Sequence, residues 1–184
     1  LSYQELHLQS NKVAHQLIAM GVKNNEFVAC YLSQSIERII ALLGIIKAGA
    51  AYVPLDTNYP IARVNILLRD TNPALLITDA KLIDIGQKVP VPVLDIEHML
   101  SYVPALESQK SSYTDTHSPS DLIYVIHTSG TTGIPKGVLI EHKAIKNFII
   151  QYGEILEIGS NDRTLQFSPY NFDGSIIDIW IPLA

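Results

Sequence analysis

Three short apolar runs, Phe27–Leu32, Ala50–Leu55 and Ala74–Thr78, are separated by segments with helical periodicity. A strand that is apolar along its whole length must be covered on both faces. Strands that alternate with helices are joined most simply as parallel neighbours. The expected fold class is therefore α/β, with parallel-rich sheets covered by helices. Ser2 with Glu5 three residues on forms a capping box, so a first helix starts there, turns Leu6, Val13, Leu17 and Met20 inward and stops at Gly21. Ser33 or Ser35 caps a second helix. Its Ile36, Ile39, Ile40, Leu43 and Ile46 leave little polar face, so it should be buried on most sides before Lys47-Ala48-Gly49 ends it. Pro54 sets the second strand at an edge or makes it a strand end. Pro60 suits the first turn of a third helix that runs to about Asp70.

From Asp79 to Leu100 the pattern weakens, with a strand expected at Val91–Leu94. Residues 109–120 are rich in Ser and Thr and read as an exposed connector between an α/β unit at 1–108 and a second unit at 121–184. In the second unit, strands at Leu122–Ile126 and Val138–Ile140 flank a loop. A helix follows with Ile145, Phe148, Ile149 and Tyr152 on one face, then a strand at Thr164–Ser168 and an apolar terminal helix. The 47% hydrophobic content supports a sizeable core, and the net charge of −5 gives no general attraction to nucleic acid or an anionic membrane. The longest apolar run, Ile39–Ile46, is far short of the roughly 20 residues a membrane-spanning helix needs. Cys30, the single cysteine, reads as a buried strand residue that forms no internal disulfide, in keeping with a cytoplasmic protein. The chain opens on a helix start and closes on apolar Ile179–Ala184, which reads as a piece of a longer polypeptide.

With an acidic chain, any phosphate site has to be built locally. Thr128-Ser129-Gly130-Thr131-Thr132-Gly133-Ile134-Pro135-Lys136-Gly137 is suited to that. Glycines let backbone N–H groups approach an anion, hydroxyls donate, and one lysine adds charge. It is not a Walker A loop, because Lys136 is followed by glycine rather than Ser or Thr, and it does not spell G-x-G-x-x-G. The competing reading is a Gly-Thr hairpin turn with one surface lysine.

Asp173 lies between an expected apolar strand and an apolar helix, where a carboxylate is costly without a partner. It could hold a cationic ligand group such as an ammonium, or it could cap the terminal helix; the spacing leaves both open. The six histidines show no metal-ligand spacing and no cysteine pair joins them. His127 and His142 flank the loop and could orient a ligand, although the burial habits of histidine favour a partly buried ring satisfied by backbone. No serine stands in a nucleophile-elbow context.

Taken together, these residues resemble the adenylate-forming superfamily, and within it the amino-acid adenylation domains of nonribosomal peptide synthetases. The resemblance rests on Leu1–Leu6, Lys47–Asp56, the loop with its lead-in from Tyr124, and Phe172-Asp173-Gly174-Ser175, in the family's order, with Asn58-Tyr59-Pro60, Arg63 and Glu141-His142 between them. It spans essentially the whole chain, so residues 1–184 are read as a partial adenylation domain, the N-terminal part of the family's large subdomain.

The resemblance implies activation of an amino-acid carboxylate by ATP with Mg²⁺, release of pyrophosphate, and thioester transfer to the phosphopantetheine of a peptidyl carrier domain. Thr128, Ser129, Gly130, Thr131, Thr132, Gly133 and Lys136 match the family's phosphate-binding loop. Asp173 matches the aspartate that pairs with the substrate ammonium, and Gly174 and Ile177 fall where the family lines its side-chain pocket. His127 departs from the tyrosine common at that position. The family's adenine-contacting segment, Mg²⁺-ligand glutamate, ribose-binding aspartate and C-terminal lysine would lie past Ala184, so no catalytic residue or metal ligand is assigned and the chain alone should be inactive. The resemblance leaves open which amino acid is used and whether a small accessory protein is needed. An acyl- or aryl-CoA ligase, or a non-catalytic nucleotide-binding module, are the alternatives.

Overall fold

The computed structural model describes residues 1–101, 117–128 and 135–184. In chain order the elements are α1 (Tyr3–Ala19), β1 (Phe27–Tyr31), α2 (Ile36–Lys47), β2 (Ala51–Pro54), α3 (Ile61–Thr71), β3 (Leu75–Thr78), a 3₁₀ turn (Ile83–Gln87), β4 (Val93–Asp95), α4 (Ile96–Ser101), β5 (Leu122–Thr128), β6 (Lys136–Glu141), α5 (His142–Leu156) and α6 (Ser175–Ile179). The strands form one sheet in the order β4-β3-β1-β2-β5-β6. All neighbours are parallel except β5 and β6, an antiparallel pair in which Thr128 faces Lys136. The α/β expectation holds, and β5 carries the 121–184 part into the same sheet as the N-terminal strands.

Alternation along β1 shows why the sheet needs two helical layers. Val28 and Cys30 belong to a core with Val13, Leu17, Ile40 and Ile45 of α1 and α2. Ala29 and Tyr31 belong to a second core with Val64, Leu67 and Leu68 of α3. Burial pushes the Cys30 thiol up, so it stays a neutral thiol in the sheet. α1 and α2 approach so closely that a Cβ on Gly44 would meet the Val13 side chain at 2.5 Å. Lys47 Nζ ties the same pair together, donating to Ser10 Oγ and Asn11 Oδ1 at 2.7 Å each. Partial burial lowers its pKa to about 8.

Several local expectations hold. Ser2 and Glu5 form the capping box, Ser35 is the α2 cap that accepts from Arg38 N, and Gly21 and Gly49 have positive φ just past their helices. Pro54 ends β2, but β2 lies between β1 and β5 rather than at an edge. Other expectations fail. Met20 and Ile36 are exposed, because each sits at a helix terminus beyond the packed stripe. The 3₁₀ turn and α4 fill the stretch where the pattern was weak, and β4 starts at Val93. Thr164–Ser168 forms no strand: Leu165 and Phe167 are more than three-quarters exposed. The Asp178 carboxylate accepts from Phe167 N at 3.0 Å and Ser168 N at 2.6 Å, which replaces a strand ladder. Of the expected connector, residues 109–116 lie outside the described residues, and 117–120 lead into β5.

The start of β5 is set by a polar knot. Asp121 accepts from Asn24 Nδ2 at 3.0 Å, Asn25 Nδ2 at 2.9 Å and Ser118 N at 2.8 Å. Leu122 N donates to Asn25 Oδ1 at 2.7 Å, and Asn25 holds a left-handed φ of 63°. These hydrogen bonds keep the Asp121 carboxyl at about 2, well below its ordinary value.

Candidate active site

β5 and β6 bring the two ends of the Gly-Thr loop together. Thr128 and Lys136 are cross-strand partners, and Thr128 Oγ1 donates to the Lys136 carbonyl at 3.5 Å. Both residues are exposed. Ser129, Gly130, Thr131, Thr132 and Gly133 lie outside the described residues. What the strands establish is the register from which the loop leaves and to which it returns.

His127, one residue before the loop, turns to the opposite face of β5. Its ring is 5% exposed, and Nε2 lies 3.0 Å from Asp70 Oδ2 on α3. A Cβ on Gly137 across the hairpin would come within 3.4 Å of that nitrogen. His127 therefore anchors the loop's root to α3. Its partner is a carboxylate rather than backbone. His142 stacks its ring on His117 with centroids 4.9 Å apart.

The C-terminal end of β5 opens into a cavity of about 400 Å³, which His127 lines as well as Thr128. Tyr59, Arg63, Tyr124, Ile126, Thr128 and Asp173 are among its lining residues. Asp173 is exposed to it rather than buried, which corrects the expectation of a carboxylate between two packed elements. It does not cap α6 either, because the cap is Gly174 and no side chain accepts from the first turn. Burial and the Asp173 carboxylate together push the Tyr124 hydroxyl up to about 12, so it stays protonated beside the carboxylate. Arg63 lies over the Tyr59 ring at 4.4 Å, and Asn171 Nδ2 donates to Tyr59 Oη at 2.8 Å.

Gly174 and Ile177 follow Asp173 into α6 but do not line this cavity. A Cβ on Gly174 would meet Ser168 Oγ at 3.1 Å, and Ile177 is half-buried. Tyr59, Arg63 and Asn171 belong to the cavity although no site role was expected for them. The Asn-Tyr-Pro-x-x-Arg spacing at the start of α3 was the available signal. The donors present at the hairpin, a threonine hydroxyl and a lysine ammonium, fit a polyphosphate. Among the described residues no group of three or more His, Cys, Asp or Glu could hold a metal ion, so none of them is assigned to Mg²⁺. No helix among the described residues is long and apolar enough to cross a membrane.

A mostly parallel sheet, with a cavity at a hairpin that carries a Gly-Thr-Lys loop, is the frame of an adenylate-forming protein. The chain belongs to the AMP-binding enzyme family, which matches residues 1–184, and its relatives are nonribosomal peptide synthetases. It is 39% identical over 189 residues to a dimodular nonribosomal peptide synthase of Bacillus subtilis (strain 168), a match that covers 100% of this chain and 8% of that protein. A solved four-domain nonribosomal peptide synthetase, holo-AB3403 bound to AMP and glycine, superposes with a TM-score of 0.84 at 36% identity, covering all of this chain and 13% of that one. The α-methyl-L-serine-AMP form of the synthetase FmoA3 gives 0.87 at 28% identity, covering all of this chain and 20% of that one. This chain thus spans a small fraction of the proteins it matches.

Proposed function

We propose that this chain forms part of an amino-acid adenylation domain in which ATP activates an α-amino acid. The carrying observation is that Asp173 and Thr128, the first residue of the Gly-Thr loop, line one cavity, with Lys136 paired to Thr128 across the hairpin. In this reading a substrate carboxylate oxygen attacks the α-phosphorus of ATP, and the bond to the pyrophosphate oxygen breaks. Aminoacyl-AMP and pyrophosphate result. The loop from Thr128 through Ser129, Gly130, Thr131, Thr132 and Gly133 to Lys136 holds the departing phosphates. Its N–H and hydroxyl donors and the Lys136 ammonium neutralise charge as it develops.

Asp173 would bind the substrate ammonium and so turn the carboxylate toward the loop, while Tyr124, protonated at neutral pH, is a neutral neighbour in the same wall. Gly174 and Ile177, next along the chain, remain candidates for the side-chain pocket. Mg²⁺, when bound, would neutralise phosphate charge. Transfer of the acyl group to a carrier-domain phosphopantetheine thiol, with AMP as the leaving group, would follow. A cytoplasmic location agrees with a single buried free thiol. Glycine is named in the structure of a relative 36% identical to this chain and α-methyl-L-serine in another at 28%, whereas two neighbours at 27–28% identity are named with aryl acyl groups, so the choice of an amino acid rests on Asp173.

The test is ATP–pyrophosphate exchange by a protein that carries this chain together with the rest of its adenylation domain. Exchange stimulated by at least one α-amino acid is expected. No stimulation by any of them, with exchange driven instead by aryl or fatty acids and thioester formed on free coenzyme A, would replace this reading with an acyl-CoA ligase.

A further inference from the structure

A second cavity, of about 270 Å³, opens at the C-terminal ends of β1 and β2 and shares only Asn171 with the cavity of Asp173. Gln34, Arg38, Asp56, Thr57, Asn58 and Ser168 give it a polar lining. Arg38 is 5% exposed, and its Nε has no hydrogen-bond partner. No carboxylate among the described residues forms an ion pair with it. The Tyr170 ring lies against it, with the guanidinium carbon 4.4 Å from the centroid.

A buried cation without a counter-charge is costly, and a ring face returns only part of that cost. The Tyr170 hydroxyl is engaged elsewhere: it donates toward the carbonyls of Cys30 at 2.7 Å and Leu55 at 2.6 Å, and its oxygen accepts from Leu32 N at 3.5 Å rather than from Arg38. Asp56, the acidic member of the lining, accepts from Asn58 N at 2.9 Å and Asn58 Nδ2 at 3.0 Å through Oδ1 rather than from Arg38. Arg38 also lies in the first turn of the 12-residue α2, where the helix dipole adds positive potential. A guanidinium stacked on a ring keeps its N–H groups for an acceptor, and a carboxylate or phosphate matches that fork with two oxygens.

We propose that the cavity beside Arg38 is a binding site for a small oxyanion, a carboxylate or phosphate group, separate from the cavity that Asp173 lines. Its volume falls just below the usual range for small-molecule pockets, which suits inorganic phosphate or a short organic acid rather than a nucleotide. Arg38 supplies the charge, and the hydroxyl and amide groups around it supply further donors.

The experiment titrates the intact chain with sodium acetate and, separately, sodium phosphate, against sodium chloride at matched ionic strength. Thermal unfolding and ¹H–¹⁵N NMR are the readouts. A saturable rise in midpoint, with shifts at Gln34, Arg38 and Ser168, is expected for at least one anion, and which anion saturates names the source. Arg38→Met should weaken that response at least tenfold while leaving the midpoint in chloride unchanged or higher, since it removes an unpaired buried charge. Lys136→Ala should leave the response intact, which separates this site from the Gly-Thr loop. No saturable response of the unsubstituted chain to either anion overturns the proposal. An unchanged response in Arg38→Met does the same, as does its loss in Lys136→Ala.

Discussion

In the proposed reading Asp173 would meet the amino-acid ammonium and Lys136 the departing phosphates of ATP, and each role can be tested alone. A charge-assisted pair to the substrate ammonium contributes on the order of 1.5–3 kcal/mol, so Asp173→Ala should lower the kcat/KM for the amino acid in pyrophosphate exchange by roughly 10- to 100-fold. The loss should appear with amino acids and leave the KM for ATP little changed; an unaltered kcat/KM would remove Asp173 from the site. Lys136→Ala should act mainly on kcat, lowering turnover by about tenfold or more, because its charge is matched to leaving phosphates. A fully active Lys136→Ala enzyme would count against any phosphate role. Asp173 could be singled out in the sequence because a carboxylate among apolar neighbours stands out. Tyr59 and Asn171 could not be joined, since they meet across 112 residues of chain. Arg38 was hidden for another reason: the sequence shows a charged residue in the first turn of a largely apolar helix, and nothing local says which distant side chains surround it.

At the scale of single elements, local rules worked where the signal was local. The Ser2–Glu5 box, the Ser35 cap and the glycines after α1 and α2 are set by backbone chemistry within one turn, and the structure keeps them. The Thr164–Ser168 segment failed because its apolar alternation was matched by no neighbouring strand, and Asp178 took its N–H groups instead. The entry to β5 supports a pH prediction. Asp121 has a folded-state pKa below its ordinary value, so its contribution is fully present above the usual carboxylate range. It is lost as pH falls from about 4 toward about 2. Asp121→Asn should lower the unfolding midpoint at pH 7 and make the acid limb shallower across that window than in the unsubstituted chain. Parallel acid limbs for the two proteins would show that the knot around Asp121 does not contribute.

Across the whole molecule, the segment after α5 is fastened to the sheet by aromatic side chains. Trp180 Nε1 donates to Tyr52 Oη at 3.1 Å, and Tyr170 reaches the carbonyls at the ends of β1 and β2. Tyr170→Phe leaves the Leu55 carbonyl without its phenol donor and should cost about 1–2 kcal/mol, read as a lower urea midpoint with an unchanged m-value. An unchanged midpoint would mean that water replaces the phenol fully. The amino-acid sequence by itself determined the α/β class, the helix caps at Ser2 and Ser35, the two strands that flank the Thr128–Gly137 loop and the family resemblance, because each is written in neighbouring residues. Tertiary structure alone decided that His127 binds Asp70, that Asp173 opens into a cavity with Arg63 and Thr128, and that Arg38 is buried with no ion pair to a carboxylate among the described residues. Those facts depend on which distant side chains the sheet order β4-β3-β1-β2-β5-β6 sets side by side, and strand order is a property of the packed chain rather than of any short stretch of it.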